Sequence, residues 1–131
     1  GALQQYQAVL ELEPNNALAA NNASAMLLRL KRPGAVEMAE RAIKAAPTSP
    51  DAYDTLSQSL AAEKQWPRAI EAQRKVIALV PAAPPVLKLK LAKLLIQAGN
   101  KSEAETELKA LQALGGRFDH QAEVDELLKQ L

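Results

Sequence analysis

Few side chains in this sequence could carry out chemistry on a substrate, and their types narrow the choice quickly. His120 is the only histidine and cysteine is absent, so a multi-histidine metal site, a thiolate zinc site, a cysteine nucleophile and a disulfide are all excluded. A serine nucleophile would need a strand-turn-helix elbow to present it, and no serine has one. Gly115-Gly116 is an isolated pair, far short of a phosphate-binding loop. No catalytic residue, metal ligand or cofactor is therefore expected. His120 reads as a surface residue near the start of a last helix, and Trp66, ahead of Pro67, as a turn residue packed on its own hairpin. What remains is recognition chemistry. Asn and Gln amides both donate and accept, as an extended peptide backbone requires.

Composition limits what could be recognised. The 131 residues carry 24% charged side chains but a net charge of only +1, and aromatics make up 3%. That balance offers no basic footprint for a nucleic acid or an acidic membrane, and too few rings to stack on bases. No run approaches the roughly 18 apolar residues of a membrane span, so direct membrane insertion is not expected. No basic-then-apolar leader opens the chain. It begins Gly1-Ala2-Leu3 without a methionine and reads as a piece excised from a longer protein.

The elements that position these side chains repeat. Ala2 precedes Pro14 by twelve residues, and the same interval separates Ala35 from Pro47, Ala69 from Pro81 and Ala104 from Gly116. Steps between these alanines are 33, 34 and 35 residues, the signature of a helical repeat. Each period holds two helical stretches: Ala17 to Leu30, Pro50 to Glu63 and Pro85 to Ala98 first, then Pro33 to Ala46, Pro67 to Val80 and Ser102 to Leu114. Pro33, Pro50, Pro67 and Pro85 stand where a first turn needs no amide donor. Ser49 reads as an N-cap, Ser102-Glu103-Ala104-Glu105 as a capping box, and Gly99 as a left-handed stop. Small residues at Ala35, Ala39, Ala42, Ala69, Ala72 and Ala104 mark where paired helices cross closely.

This pattern resembles the tetratricopeptide (TPR) family: a large apolar residue, Leu-Gly, an aromatic, then Ala, an aromatic and Pro. The best-matching unit shows Tyr53, Leu56-Ser57, Leu60, Ala69 and Pro81, with Gln73 in the second aromatic slot. The third offers Lys88, Leu91-Ala92, Leu95, Gly99, Ala104 and Leu108, and the first Ala20, Ala23-Ser24, Leu27, Ala35, Ala39 and Pro47. The resemblance covers roughly residues 2 to 115. It implies an all-α fold, a right-handed α-α superhelix of TPR hairpins with a C-terminal capping helix. The expected organisation is one domain over 1–131: the second helix of a truncated repeat (2–14), repeats at 17–47, 50–81 and 85–116, and a cap at 119–131. The runs Asn21-Asn22-Ala23, Tyr53-Asp54-Thr55-Leu56-Ser57 and Leu89-Lys90-Leu91-Ala92, with Phe118 to Leu131, are also similar to the C-terminal repeats of bacterial TPR lipoproteins of exopolysaccharide and PEP-CTERM sorting systems. That narrower likeness implies a Gram-negative envelope location, periplasmic and anchored at the outer membrane.

By family likeness the first helix of every hairpin lines a concave groove that binds a peptide or partner protein. The implied groove residues are Asn21, Asn22, Ala25 and Arg29 in the first unit, and Asp51, Asp54, Thr55 and Gln58 in the second. Leu89, Lys90, Lys93 and Gln97 complete it in the third. Some relatives hold chaperone C-terminal carboxylates with a Lys/Arg and Asn clamp. The matching places here are Asn21, Ala25, Thr55, Val86 and Lys90, so that clamp is largely missing and chaperone-tail binding is not expected. The alternative is a structural spacer and C-terminal cap for a longer superhelix. Asp119 is expected to cap a last helix with Val124, Leu127, Leu128 and Leu131 on its apolar stripe. At the other end the stripe Leu3, Tyr6, Val9 and Leu10 lacks a hairpin partner, and self-association through it is expected.

Overall fold

The computed structural model describes residues 1–131. Its helices are α1 (Ala2–Leu12), α2 (Ala17–Arg29), α3 (Ala35–Ala45), α4 (Pro50–Ala62), α5 (Trp66–Leu79), α6 (Pro85–Gln97), α7 (Lys101–Gln112) and α8 (Gln121–Gln130), with a short 3₁₀ turn at Gly115–Arg117 before the last. Helix starts follow the capping chemistry of their sequences. Asn16 Oδ1 accepts from the Ala19 amide at 2.9 Å, and Ser49 Oγ from the Ala52 amide at 3.4 Å.

One turn recurs three times and fixes the hairpins. Lys31, Lys64 and Gly99 take positive φ values of 55°, 60° and 83° just after α2, α4 and α6. Behind each, the next amide reaches back to close a Schellman turn: Arg32 to Leu27 O at 2.9 Å, Gln65 to Leu60 O at 2.9 Å and Asn100 to Leu95 O at 2.8 Å. Three expected starts are relocated. Asn100 is already the N-cap of α7, so Ser102 lies inside the helix and forms no capping box. In the first unit Gly34, at φ 102°, intervenes, so Pro33 stands outside α3. At the C-terminal end the 3₁₀ turn delivers the chain so that His120, not Asp119, precedes α8, without a side-chain cap.

α2 packs with α3, α4 with α5 and α6 with α7, and the three hairpins stack in order. Eleven of the 26 buried apolar residues are alanine, so the paired axes lie close together and there is little side-chain volume to lose but none to spare. Ala35, Ala69 and Ala104 are buried at the same place in successive hairpins. Opposite the first two, the Ser24 and Ser57 hydroxyls donate to the Ala35 and Ala69 carbonyls, the latter at 2.9 Å. Ala92 holds the corresponding place in the third hairpin and is fully buried without a hydroxyl.

The stack is curved, and the contacts show which way. First helices touch directly, α2 against α4. Second helices are bridged by long side chains instead: Arg68 to Glu40 at 2.9 Å from α5 to α3, and Arg74 to Glu103 at 2.6 Å from α5 to α7. α2 and α4 therefore face the inner side of the stack, in an all-α helical repeat of TPR type. Between units two and three the buried Gln73 donates from Nε2 to Leu87 O at 3.0 Å, which satisfies an amide standing in a slot that is usually aromatic.

The ends differ. Val124 of α8 is fully buried in one cluster with Leu89, Ala92, Leu108, Leu111 and Phe118, while Ala122, Asp125, Glu126 and Lys129 face outward and are exposed. The α1 stripe expected to stand bare is instead seated. Leu3 and Leu10 are buried and Tyr6 packs against their cluster, because α2 lies across that face. Val9, Leu12, Leu18 and Leu30 are the large apolar side chains left exposed at this end.

Candidate partner-binding surface

The inner helices place the twelve expected groove residues unequally. On α2, Asn21 and Asn22 are half-buried, Ala25 and Arg29 exposed. Asn21 Oδ1 is enclosed and makes no hydrogen bond. On α4, Asp51 is exposed in the first turn, where a carboxylate favours the helix dipole. Asp54 is half-buried and Gln58 exposed. On α6, Lys90, Lys93 and Gln97 are exposed.

Two expectations fail. Thr55 and Leu89 are only 9% and 2% exposed. Each stands one residue from a groove residue, Asp54 and Lys90, and one residue turns a helix by about 100°, enough to swing a side chain from the inner surface into the seam between helices. The Thr55 carbonyl accepts from Ser59 Oγ at 2.8 Å within that seam. Leu89 lies in the apolar cluster beneath α8. Neither is available to a partner.

Five of the others converge. Asp54 and Gln58 from α4 meet Lys90, Lys93 and Gln97 from α6 around one open cleft of about 510 Å³. Its apolar lining is Ala61, Ala62 and Leu94, with Trp66 beside them. Asn21, Asn22, Ala25, Arg29 and Asp51 stand outside this cleft. Trp66 opens α5 and, beside Ala61 and Ala62 of its own hairpin, also lines the space between units two and three. Its position ahead of Pro67 carries no signal of that second placement.

Charges on the cleft are partly paired. Gln58 Nε2 donates to Asp54 Oδ2 at 2.9 Å, and Lys90 Nζ stands 3.5 Å from Asp54 Oδ1. Lys93 pairs with Glu123 of α8, whose other carboxylate oxygen is 3.7 Å from His120 Nδ1. Sequence reasoning missed Glu123, because it lies beyond the last repeat and reaches the cleft only once α8 folds over α6. These pairs are half-exposed, so each contributes about 0–1 kcal/mol and can be exchanged for a ligand's groups at little cost. Lys64, at the cleft rim, forms no ion pair. No helix is long and apolar enough to cross a membrane.

Solved structures share this architecture. A crystal structure of MamA, a TPR-like helical repeat protein, superposes with a TM-score of 0.78 at 23% identity, over 90% of this chain and 69% of that one. MamA from Desulfovibrio magneticus RS-1, solved from residue 41 to the end, gives 0.78 at 24% identity, covering 89% of this chain and 66% of the other. The assembly chaperone of RpL4 (Acl4) gives 0.51 at 18% identity, over 98% of this chain and 56% of that protein. At such identities the likeness establishes the fold alone. No family model matches the chain and no curated protein matches it in sequence, so the narrower likeness to envelope lipoproteins rests on the quoted runs of residues.

Proposed function

We propose that this chain is a protein-interaction scaffold that holds an extended segment of a partner protein along α2, α4 and α6, with no chemistry of its own. The observation that supports it best is convergence: side chains from two successive hairpins, Asp54 and Gln58 with Lys90, Lys93 and Gln97, gather on one concave cleft. Such a site exists only when the units stack, as a repeat scaffold's binding surface does. The outer faces of α3, α5 and α7 carry Glu40–Arg68 and Arg74–Glu103 pairs, which hold units together. One solved neighbour is the assembly chaperone of a protein, RpL4, and a role of that kind is in keeping with this reading.

The test is backbone amide shift mapping with peptides selected from a displayed library. Shifts confined to α2, α4 and α6, with binding reduced by the pair Asn22→Ala and Lys93→Ala, support the scaffold. Shifts on the outer helices would overturn it.

A second reading is favoured by the N-terminal end. Exposed Val9, Leu12 and Leu18 stand there, against the polar outer face of α8 at the other end. That asymmetry suits a spacer and C-terminal cap of a longer superhelix, which the narrower likeness would assign to an envelope exopolysaccharide or sorting system. No selected peptide on this chain, with binding by a longer form, would favour it.

A further inference from the structure

The cleft between α4 and α6 combines an apolar floor with a basic rim, and that combination specifies a ligand. Ala61, Ala62, Leu94 and Trp66 supply its apolar surface, and the buried Ser57 and Gln73 beside them already donate to Ala69 O and Leu87 O. A space of about 510 Å³ accepts a leucine-sized side chain with the backbone on either side of it. Around this floor stand Lys64, Lys90 and Lys93 against a single acid, Asp54. That acid is already engaged by Gln58 and Lys90, and Glu123 by Lys93, which leaves Lys64 as the uncompensated charge. An arriving carboxylate meets one free ammonium and two that are held by weak, half-exposed pairs. A basic ligand would face like charge and find no free acid.

We infer that this cleft recognises an internal segment in which a large apolar residue is flanked by acidic side chains. The apolar residue seats against Trp66 and Leu94, and the flanking carboxylates sit on Lys64, Lys90 and Lys93. The inference rests on the scaffold reading and gives its partner a chemistry. Of the five clamp positions it uses Lys90 alone: Asn21, Ala25 and Val86 lie outside the cleft and Thr55 is buried.

Trp66 is the only tryptophan, so its fluorescence reports occupation of the cleft directly. The probes are acetylated, amidated pentapeptides: Glu-Glu-Leu-Glu-Glu, the same with Gly at the centre, and Lys-Lys-Leu-Lys-Lys. The acidic leucine peptide is expected to shift Trp66 emission saturably and to weaken as salt rises. The glycine and lysine peptides are expected to give no saturable shift. Lys64→Glu is expected to weaken the acidic peptide by about five- to tenfold, since it replaces an attraction by a repulsion at an exposed rim. Ala62→Phe, at an exposed position on the cleft wall, occupies the space without adding charge and is expected to abolish binding, with far-UV circular dichroism confirming that both variants fold. Equal binding of the lysine peptide, or indifference to Lys64→Glu, overturns the acidic specificity while leaving the scaffold reading intact. Selected peptides that map to the outer helices overturn both.

Discussion

The Schellman turns give an internally controlled prediction, because one backbone geometry is occupied by lysine twice and by glycine once. Lys31 and Lys64 hold φ values of 55° and 60°, and Gly99 holds 83°. A Cβ built on Gly99 meets nothing within 4 Å, so a side chain there is opposed by backbone strain and not by neighbours. Holding an L-residue in this region costs about 1–2 kcal/mol. Glycine escapes that cost but orders a more flexible unfolded chain, which removes about 0.4–1 kcal/mol of the advantage. The net expectation is that Lys31→Gly stabilises the chain by about 0.5–1 kcal/mol, and that Gly99→Ala destabilises it by a similar amount. Lys31 is exposed and has no ion pair, so loss of its side chain adds little. Urea unfolding monitored by circular dichroism measures both, with an unchanged slope as the check that stability alone has moved. Hydrogen exchange at the Arg32 amide, bonded to Leu27 O at 2.9 Å, reports the same turn locally. Destabilisation by Lys31→Gly together with neutrality of Gly99→Ala would refute the reasoning, because the turns would then not be strained as their angles require.

Three further outcomes follow from the packing. Ala69→Leu forces a larger side chain into a fully buried crossing and is expected to cost about 1–3 kcal/mol in the same unfolding assay. Gln73→Ala removes the bond to Leu87 O and leaves a void, at about 1–3 kcal/mol, whereas Gln73→Leu fills the space and is expected to cost about 1 kcal/mol or less. Arg74→Ala, on a half-exposed pair with Glu103, is expected to change stability by about 0.5 kcal/mol or less despite the short 2.6 Å contact.

The fold was legible because its determinants are local and repeat. Alanines spaced at 33 to 35 residues, prolines at first turns and a stop at Gly99 are readable one segment at a time. Lys31 and Lys64 were not readable as left-handed stops, since lysine has no preference for that conformation; the aligned Leu27, Leu60 and Leu95 carbonyls impose it. The cleft was legible in part. Three- and four-residue spacing brought out Asp54, Gln58, Lys90, Lys93 and Gln97, but a family register cannot resolve which of two adjacent residues faces a seam, and Thr55 and Leu89 fell on the wrong side. Trp66 joins the cleft through the stacking of units, and Glu123 reaches Lys93 at its edge through the return of α8, neither of which any single segment encodes.

The contrast between inner and outer edges has a mechanical consequence. Where α2 meets α4, closely packed small side chains resist both compression and separation. The outer rim is tied by flexible Arg68 and Arg74 side chains that reach across a wider gap and can lengthen or let go. The molecule is thus built like a spring with a stiff spine and a compliant margin: tension along its axis opens the rim first and changes the pitch. The cleft lies beyond that seam, between α4 and α6, where the half-exposed Lys90–Asp54 pair can let go around a guest while the hairpins stay whole.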